Sequence, residues 1–312
     1  MTPDRTPTIS AVIAAYQAER WIAEALEGVL GQTRPPDEVV VVDDGSTDGT
    51  ARELARFAGS IRVVRRPNGG CPAAFNTAFA HARGDFVAMC GADDVWEPRK
   101  LEWQAEAMAA HPEVDVLFGD AIVFGEREGT YGRPPGTGVL DRDALRDALY
   151  RENFICAPSI VIRRSLFERL GPFVEDFGAD DYEYWMRCLR AGASFHYDPR
   201  PLLRYRRHDA NLSSRLLWMR QCSYEVRRRY AADVPDRALT RRALSADLFD
   251  IGRRLADEGD ARGARRALRA SMRRAPSARA AVWLVVLQLP EALRAPAGDA
   301  LVTARRTAAA LR

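Results

Sequence analysis

Two apolar runs that end in paired carboxylates constrain the fold of this chain more than any other feature. Residues 85–89 lead into Asp93-Asp94, and residues 38–42 lead into Asp43-Asp44. Short apolar runs predict buried strands, and open α/β sheets bind ligands at the carboxyl ends of their strands. The pattern predicts a divalent metal and a phosphorylated ligand at one sheet edge. A helix cap by Asp93, ahead of a helix that begins near Pro98, is the structural alternative.

The first 125 residues alternate between strand-like and helix-like segments. Strands are predicted at 8–15, 38–42, 61–64, 85–89 and 114–124, and helices at 19–31, 49–57, 72–81 and 98–110. This order predicts an α/β fold with a Rossmann-like sheet flanked by helices. The sheet becomes mixed further on, with helices at 142–150 and 180–191 and strands at 159–162, 195–197 and 202–206. Between these parts, the Gly- and Pro-rich residues 125–138 predict a mobile loop over the site.

The last hundred residues have a different character. Helical spacing of apolar residues predicts helices at 216–230, 236–258, 261–273 and 277–289. We therefore predict two domains: residues 1–215 as a nucleotide-sugar-binding and catalytic domain, and residues 216–312 as a basic, all-helical C-terminal extension. The sugar-nucleotide part of this prediction depends on the resemblance given below.

Charge is distributed unevenly along the chain, although the net charge is only +3. Residues 1–209 hold 25 Arg and Lys against 33 Asp and Glu, whereas residues 210–312 hold 21 Arg against 10 acidic residues. An acidic first part suits a metal site, and a basic tail suits an anionic surface. The five cysteines are widely spaced and form no CxxC pair, which argues against a zinc ribbon or a disulfide framework and fits a reducing cytosol.

Several familiar phosphate and metal sites are excluded by the residues after the strands. An EF-hand loop that starts at Asp44 would need a Glu where Ala55 stands. The residues that follow the first strand do not match the glycine fingerprint of a dinucleotide site, and the chain has no Walker loop. A phosphatase-type nucleophile at Asp43 or Asp44 stays a third possibility. Such a site normally also uses a lysine, and the only lysine, Lys100, is predicted at a helix start.

Five motifs, in this order, resemble the nucleotide-sugar half of family 2 glycosyltransferases, which have the GT-A fold. The likeness spans roughly residues 7–215. The motif residues lie at 11–16 with Gln32-Thr33, at 41–48, at 84–88 with 92–94, at 179–187 and at 205–213.

The resemblance implies a role for each matched residue on the donor side. Ala14, Tyr16 and Asp44 would surround the base and ribose of a nucleotide-diphospho-sugar, with Asp43 assisting. A UDP-sugar is the first expectation for this donor. Asp93 and Asp94 would hold Mn²⁺ or Mg²⁺ against the diphosphate, with Asp94 as the expected direct ligand, since hard oxygen ligands suit both cations.

On the acceptor side, Asp181 matches the family's general base, which would deprotonate an acceptor hydroxyl and give an inverted product. Asp180 stands where the family usually has Glu, so either aspartate is a candidate; a helix-dipole role is the structural alternative. His208 matches a histidine that completes the metal shell, and Arg206 is a candidate phosphate ligand. The implied function is an inverting glycosyltransferase of cell-envelope polysaccharide, glycolipid or natural-product glycosylation.

The sequence departs from the family pattern at three positions. Gln17 replaces the usual Asn, which affects a turn, Gly91 replaces a frequent first Asp of the metal motif, and Phe75 stands where Arg is common. Gly91 and Phe75 suggest a catalytically weakened sugar-nucleotide-binding or scaffold protein as the alternative to an enzyme.

The sequence also predicts where the protein resides. No hydrophobic leader and no spanning run of about 20 apolar residues is present, so we expect a cytoplasmic protein. The basic tail predicts peripheral contact with anionic lipid on the inner face of the membrane, with Trp283 a candidate interface residue. Packing of that helix on the catalytic domain is the alternative. Nucleic-acid binding is not expected, because aromatic residues do not interleave with the arginines.

Overall fold

The computed structural model describes residues 6–126, 128–130, 134–176, 178 and 180–289. The chain forms two compact units, Met1–Ser214 and Arg215–Arg312. Assigning donor binding and catalysis to the first unit remains a prediction at this point.

The first unit alternates strands with helices, largely as the sequence predicts. Its strands are β1 (Ile9–Ala15), β2 (Glu38–Asp43), β3 (Arg62–Arg65), β4 (Phe86–Gly91), β5 (Val95–Trp96), β6 (Val116–Gly125), β7 (Gly129–Thr130), β8 (Gly138–Val139), β9 (Val161–Arg163) and β10 (Phe195–Arg207). Its helices are α1 (Ile22–Leu30), α2 (Thr50–Ala55), α3 (Cys71–His81), α4 (Lys100–Ala110), α5 (Arg142–Arg151), α6 (Arg164–Leu170) and α7 (Asp180–Arg190).

All described strands join one mixed sheet. Its main order is β3-β2-β1-β4-β9-β6-β10-β5, and β7 and β8 pair with β6 and β10. The neighbours β3, β2, β1 and β4 are parallel, whereas β9 runs antiparallel to both β4 and β6. This arrangement confirms the predicted mixed α/β class.

Burial explains why the apolar runs form central strands. Ile9, Ala11 and Ile13 lie on one face of β1, because side chains alternate along a strand. They form a core cluster with Ile22 and Leu26 of α1, whose buried residues recur at helical spacing.

The register of the parallel strands brings their carboxyl ends to one edge. Ala14 of β1 is opposite both Val42 of β2 and Gly91 of β4. The Asp43-Asp44 and Asp93-Asp94 pairs therefore leave the sheet on either side of the end of β1. The juxtaposition predicted from the two apolar runs is confirmed.

Three local features differ from the sequence prediction. The two short strands predicted at 195–197 and 202–206 are one strand, β10, whose pairing with β6 is irregular around Pro201. The loop predicted at 125–138 contains β7 and β8, and residues 127 and 131–133 of it lie outside the described part. The strand β5 and the helix α6 have no counterpart in the prediction, because two residues and seven residues carry too little periodicity to be recognised.

The second unit is helical in its described part. It contains α8 (Leu216–Tyr230), α9 (Arg237–Asp257), α10 (Ala261–Arg274) and α11 (Ala278–Val286). Asp236 and Asp260 cap the amino ends of α9 and α10 through main-chain N–H groups. The turn between α9 and α10 places Gly259 at φ 86°, in the left-handed region that favours glycine.

Packing within the second unit buries a polar pair and the tryptophan of α11. Asp247 of α9 is fully buried and forms an ion pair with Arg227 of α8. Trp283 is only 8% exposed and joins Ala264 and Leu268 in a shared core cluster. The prediction that Trp283 lies at a membrane interface is therefore wrong, because its ring fills the space between helices. No helix among the described residues combines the length and the apolar character needed to cross a membrane.

Candidate active site

The end of β1 forms a sharp turn that exposes an aromatic ring. Gln17 has φ 49°, a left-handed conformation that is uncommon outside glycine and that asparagine tolerates better than most residues. Its Oε1 accepts hydrogen bonds from the N–H groups of Thr47 (2.8 Å) and Asp48 (3.2 Å). Tyr16 is left 54% exposed beside Ala14, which excludes ordinary core packing for this ring.

The two aspartates after β2 are buried and fixed by main-chain groups. Asp43 accepts a hydrogen bond from the N–H of Ser46 at 2.9 Å. Asp44 accepts from the N–H of Gly69 at 3.1 Å and from that of Gly70 at 2.8 Å. Asp44 therefore anchors the loop that precedes α3. Ion pairs at 3.5 Å add to these contacts: Arg65 with Asp43, and Arg66 with Asp44.

Asp94 is the buried member of the pair that follows β4. It is 2% exposed, and its Oδ1 accepts a hydrogen bond from the N–H of Arg206 at 2.9 Å. Burial and the neighbouring charge of Asp93 raise the pKa of Asp94 well above its usual range. A Cβ at Gly91 would lie 2.5 Å from Oδ2 of Asp94 and 2.9 Å from Oδ1 of Asp93. The glycine thus leaves room for both carboxylates.

Asp93 is the accessible member of the pair, with 28% of its side chain exposed. Its Oδ2 lies 2.9 Å from Nε2 of His208 and accepts a hydrogen bond from Nδ2 of Asn211 at 3.0 Å. The main-chain N–H of His208 in turn donates to Oδ1 of Asn211. A carboxylate oxygen and an imidazole nitrogen therefore meet at the end of β10.

Arg206 connects this pair to α1. Its Nε donates to the carbonyl oxygen of Asp93 at 2.9 Å, and its guanidinium forms an ion pair with Glu24. The guanidinium carbon lies 4.3 Å from the ring centroid of Trp21, whose ring also stacks on His208 at 5.8 Å between centroids. Arg206 thus contacts protein groups around the acidic turn, and phosphate binding by this residue stays a prediction.

Asp180 and Asp181 are the first two residues of α7, and both of their carboxyls have raised pKa values. Burial and the charge of Asp181 raise the pKa of Asp180 to about 7. Burial also raises the pKa of Asp181, while hydrogen bonds from the Tyr182 N–H (2.6 Å) and from Asn153 (3.4 Å) favour its ionised form. The helix amino end stabilises a negative charge here as well. Both carboxyls at the start of α7 therefore have raised pKa values, and that of Asp180 lies near neutral pH.

Cys71, the first residue of α3, lies within electrostatic range of several acidic groups. Burial raises the pKa of its thiol well above the usual value, and the charges of four carboxylates raise it further. Those carboxylates come from three separate parts of the chain: Asp180, Asp181, Asp93 and Asp44. A thiol that the sequence analysis did not single out therefore lies within electrostatic range of predicted donor, metal and base residues.

The sequence profile described as Glycosyl transferase family 2 matches residues 10–171, slightly more than half of the chain. The chain belongs to glycosyltransferase family 2. The family resemblance inferred from the motifs is confirmed. Asp180, Asp181 and His208 lie beyond the matched residues, so their roles in this family member stay predictions.

Curated relatives match about two-thirds of this glycosyltransferase family member. An uncharacterized protein of Mycobacterium tuberculosis (strain H37Rv) is 33% identical over 210 residues, which cover 64% of this chain and 59% of the relative. An uncharacterized glycosyltransferase of Rickettsia felis is 27% identical over 216 residues, covering 67% of this chain and 36% of the relative. The chain thus spans about three-fifths of the first of these relatives and about a third of the second.

Solved structures with a similar fold confirm the GT-A class. S. aureus TarS 1-349, in complex with UDP-GlcNAc, aligns with a TM-score of 0.66 and 20% identity, covering 96% of this chain and 92% of TarS. The mannosyltransferase PcManGT from Pyrobaculum calidifontis, in complex with GDP-Man and Mn²⁺, aligns with a TM-score of 0.59 and 21% identity, covering 96% of this chain and 87% of that one. At this identity the likeness shows the fold alone.

The donor set of this transferase-family site fits a divalent cation held jointly by protein and ligand. Among the residues described, no group of three or more His, Cys, Asp and Glu side chains is arranged to hold a metal ion. Asp93 Oδ2 and His208 Nε2 nevertheless converge at 2.9 Å in partly exposed positions. An oxygen and an imidazole nitrogen are ligands that Mn²⁺ accepts, and diphosphate oxygens can complete its shell. The burial of Asp94 makes it the less accessible of the two aspartates.

Several site residues in this family member escaped the sequence analysis for identifiable reasons. Asn211 lies inside the recognised closing segment, yet an amide carries no charge signal that marks it as functional. Trp21 and Glu24 belong to the predicted amphipathic helix, where nothing in the pattern indicates a partner 180 residues away. Cys71 could have been noticed only because it follows Gly69-Gly70 at a predicted helix start.

Proposed function

We propose that this chain transfers a sugar from a nucleotide-diphospho-sugar to a hydroxyl acceptor with inversion at the anomeric carbon. The observation that carries the proposal is the approach of Asp93 Oδ2 to His208 Nε2 at 2.9 Å, at the sheet edge where Asp44 also fixes the Gly69-Gly70 turn. A hydrolase of phosphomonoesters would not need a separate carboxylate pair on α7. Family membership supports the same class of reaction.

The nucleoside is assigned to the end of β1. The exposed ring of Tyr16 can stack on a base, and the aromatic face tolerates any base. Asp44 and the Gly69-Gly70 turn that it holds form the adjacent wall. Because the carboxylate already accepts two main-chain hydrogen bonds, its role includes fixing that wall and is not limited to contacting the base.

The diphosphate is assigned to the turn that carries Asp93. Asp93 and His208 would hold a divalent cation. Asp94 would stabilise the turn by accepting a hydrogen bond from the main-chain N–H of Arg206. When bound, such a cation offsets the negative charge that develops on the departing diphosphate. Asp93, rather than the buried Asp94 expected from the sequence, is our choice of direct ligand.

The proposed base is Asp181, with Asp180 as its modulator. Hydrogen bonds from Tyr182 and Asn153 favour the ionised form of Asp181. In the transfer step, the acceptor oxygen forms a bond to the anomeric carbon and its proton passes to Asp181. The bond between that carbon and the diphosphate oxygen breaks, and the nucleoside diphosphate leaves with the electron pair. Attack from the face opposite the leaving group inverts the configuration.

The ligands of two solved structures with a similar fold indicate which donors to test first, and the family resemblance indicates the acceptor class. TarS was solved with UDP-GlcNAc, which supports a uridine nucleotide as the first donor to test. The GDP-Man complex of PcManGT makes guanosine the second. A cell-envelope polysaccharide, a glycolipid or a natural product with a free hydroxyl is the proposed acceptor class.

A nucleotide-sugar panel combined with one matched pair of variants tests the proposal. Thermal shift with UDP- and GDP-sugars, with and without Mn²⁺, identifies the donor, and release of nucleoside diphosphate measures turnover. We expect Asp181→Asn to lower turnover by about 10²–10⁴-fold, the usual contribution of a general base, while donor binding is retained. Asp143→Asn is the control, because it removes a carboxylate from the first turn of another helix, α5.

Each outcome distinguishes one function from another. Donor binding without turnover in the wild-type chain would favour the sugar-nucleotide-binding or scaffold protein. A covalent phosphoenzyme at Asp43 or Asp44 would favour the hypothesis of a phosphatase. If neither nucleotide-sugars nor nucleoside diphosphates bind with Mn²⁺ present, the transferase proposal fails.

A further inference from the structure

We propose that α10 and α11 form a docking surface for an anionic phospholipid bilayer. The surface, called here the α10–α11 surface, consists of Arg262, Arg266, Arg269 and Arg273 of α10 and of Val282 and Val285 of α11. It lies entirely within the second unit and does not depend on the proposed transferase activity.

The charge of this segment is strongly one-sided. Residues 261–290 contain seven arginines and no aspartate or glutamate. The repulsion among these charges opposes folding unless counter-charges are nearby. A surface that retains such a charge is therefore suited to an anionic partner.

Helix geometry collects four of these arginines into one stripe. Arg262, Arg266, Arg269 and Arg273 follow the i, i+4, i+7, i+11 spacing that places residues on one face of a helix. All four are exposed. The opposite face of α10 is buried through Ala264, Leu268 and Ser271.

Intramolecular ion pairs do not account for the stripe. In the part of the chain that the structure describes, no carboxylate forms an ion pair with any of these four arginines. Other arginines of the same unit are paired, since Arg227 contacts the buried Asp247 and Arg253 lies 3.0 Å from Asp257. The stripe thus differs from its surroundings in pairing as well as in charge density.

An exposed aliphatic pair lies on the helix that packs against α10. Val282 is 42% exposed and Val285 is 61% exposed, and the two are three residues apart on one face of α11. Nη1 of Arg265 donates to the carbonyl oxygen of Leu287 at 3.1 Å, which joins the two helices. Because Arg262 and Arg269 are the i−3 and i+4 neighbours of Arg265, the arginine stripe borders α11.

A lipid surface explains the two features together. Arginines bind the phosphate groups of anionic lipids, and short aliphatic side chains enter the boundary between headgroups and acyl chains. A nucleic acid would account for the arginines alone and would leave the valines exposed to water. The proposal therefore commits to a bilayer as the partner.

Vesicle binding by the full chain tests the proposal. We would measure co-sedimentation with phosphatidylcholine vesicles and with vesicles that also contain phosphatidylglycerol, over a range of salt concentrations. Each arginine near an anionic surface is worth about 1 kcal/mol, so Gln at positions 262, 266, 269 and 273 should weaken binding by at least about 100-fold. We expect Val282→Ser with Val285→Ser to weaken binding several-fold and to leave its salt dependence unchanged.

The matched control removes the same charge from other exposed arginines of the unit. Gln at Arg228, Arg229, Arg241 and Arg242 should leave at least half of the binding intact. Circular dichroism melts would show that all variants fold, and the wild-type dependence on lipid charge and salt provides a readout that needs no variant.

Three outcomes would overturn the proposal. In the first, the wild-type chain shows no preference for anionic vesicles at low salt. Residues 290–312 of the chain would then become the candidate partner of the surface. Another is an equal loss of binding in the control variant. The third is binding of the four-arginine stripe to RNA but not to vesicles, which would assign the surface to nucleic acid.

Discussion

Oδ2 of Asp93 lies 2.9 Å from Nε2 of His208, although 115 positions separate the two residues. The short strand β5, directly after Asp94, creates this proximity. It pairs antiparallel with β10, with Val95 opposite Arg204 and Trp96 opposite Leu203. The continuation of β10 toward His208 therefore runs back past Asp93.

The first prediction concerns this pair. Asp93→Asn and His208→Ala should each abolish the Mn²⁺-dependent part of the thermal shift caused by a nucleoside diphosphate. They should also lower turnover by about 10²-fold or more, because metal charge stabilisation contributes several kcal/mol. Thermal shift and turnover measured over a Mn²⁺ titration check both effects.

The control for this prediction is Asp209→Asn, which removes an exposed carboxylate next to His208. We expect it to leave the Mn²⁺ dependence unchanged. A full Mn²⁺ response in Asp93→Asn would refute the assignment of Asp93 as a ligand, and loss of the response in Asp94→Asn alone would return that role to Asp94.

Much of this site was predictable from the chain because strand ends follow from apolar runs. Residues 39–42 and 86–89 are apolar for reasons of burial, and parallel pairing with β1 then brings Asp44 and Asp93 to one edge. The helix that begins at Asp180 was also predictable, from the helical spacing of its apolar residues.

The difference between Asp93 and Asp94 was not predictable. Adjacent aspartates are equivalent in a sequence pattern, and burial of one depends on the main-chain N–H of Arg206, which a distant strand supplies. The two-residue strand that aligns Arg206 is too short for any periodicity. Because the sequence does not reveal the hydrogen bond from Arg206 to Asp94, it does not show which of the two aspartates is the more accessible ligand.

The second prediction concerns Asp180 and pH. Its pKa is about 7 in the folded chain and about 3.8 as the ordinary reference value. Between these values the folded state binds more protons than the unfolded state, so stability falls as pH rises from about 4 to 7. Asp180→Asn removes this loss. We expect it to raise the free energy of unfolding at pH 8 by about 1 kcal/mol or more and to have little effect at pH 4.

Urea unfolding at the two pH values measures the effect of Asp180→Asn. Asp143→Asn serves as the comparison, because it also removes a first-turn carboxylate. Equal effects of Asp180→Asn at pH 4 and pH 8 would contradict the raised pKa.

The third prediction concerns Tyr16. Its ring is 54% exposed, so Tyr16→Ala should leave the melting temperature nearly unchanged. Base stacking on an aromatic ring is worth about 1–3 kcal/mol, so the KM for the donor should rise about fivefold to 100-fold. Tyr16→Phe keeps the ring and should behave like the wild type. A large loss of stability with an unchanged KM would instead identify Tyr16 as a structural residue.

The last prediction concerns Lys100, the only lysine among 46 basic residues. It is fully buried; its Nζ donates to Oε1 of Gln104 at 2.8 Å and lies 4.1 Å from the ring centroid of Trp96. Burial lowers its pKa to about 7. Arginine cannot lose its proton in a protein, whereas lysine can, so a buried position of this kind favours lysine over arginine. The presence of a single lysine in an arginine-rich chain thus has a physical reason.

Lys100→Arg and Lys100→Met separate the effect of charge from that of shape. Since the unfolded state binds more protons than the folded state between about pH 7 and 10.5, wild-type stability should rise with pH over that window. Lys100→Met carries no titrating group and should flatten this rise. Lys100→Arg leaves a buried charge and should cost about 3–5 kcal/mol in urea unfolding at pH 8. If Lys100→Arg is as stable as the wild type, the amine is not neutralised by burial, because a permanent charge would then be tolerated at the same place.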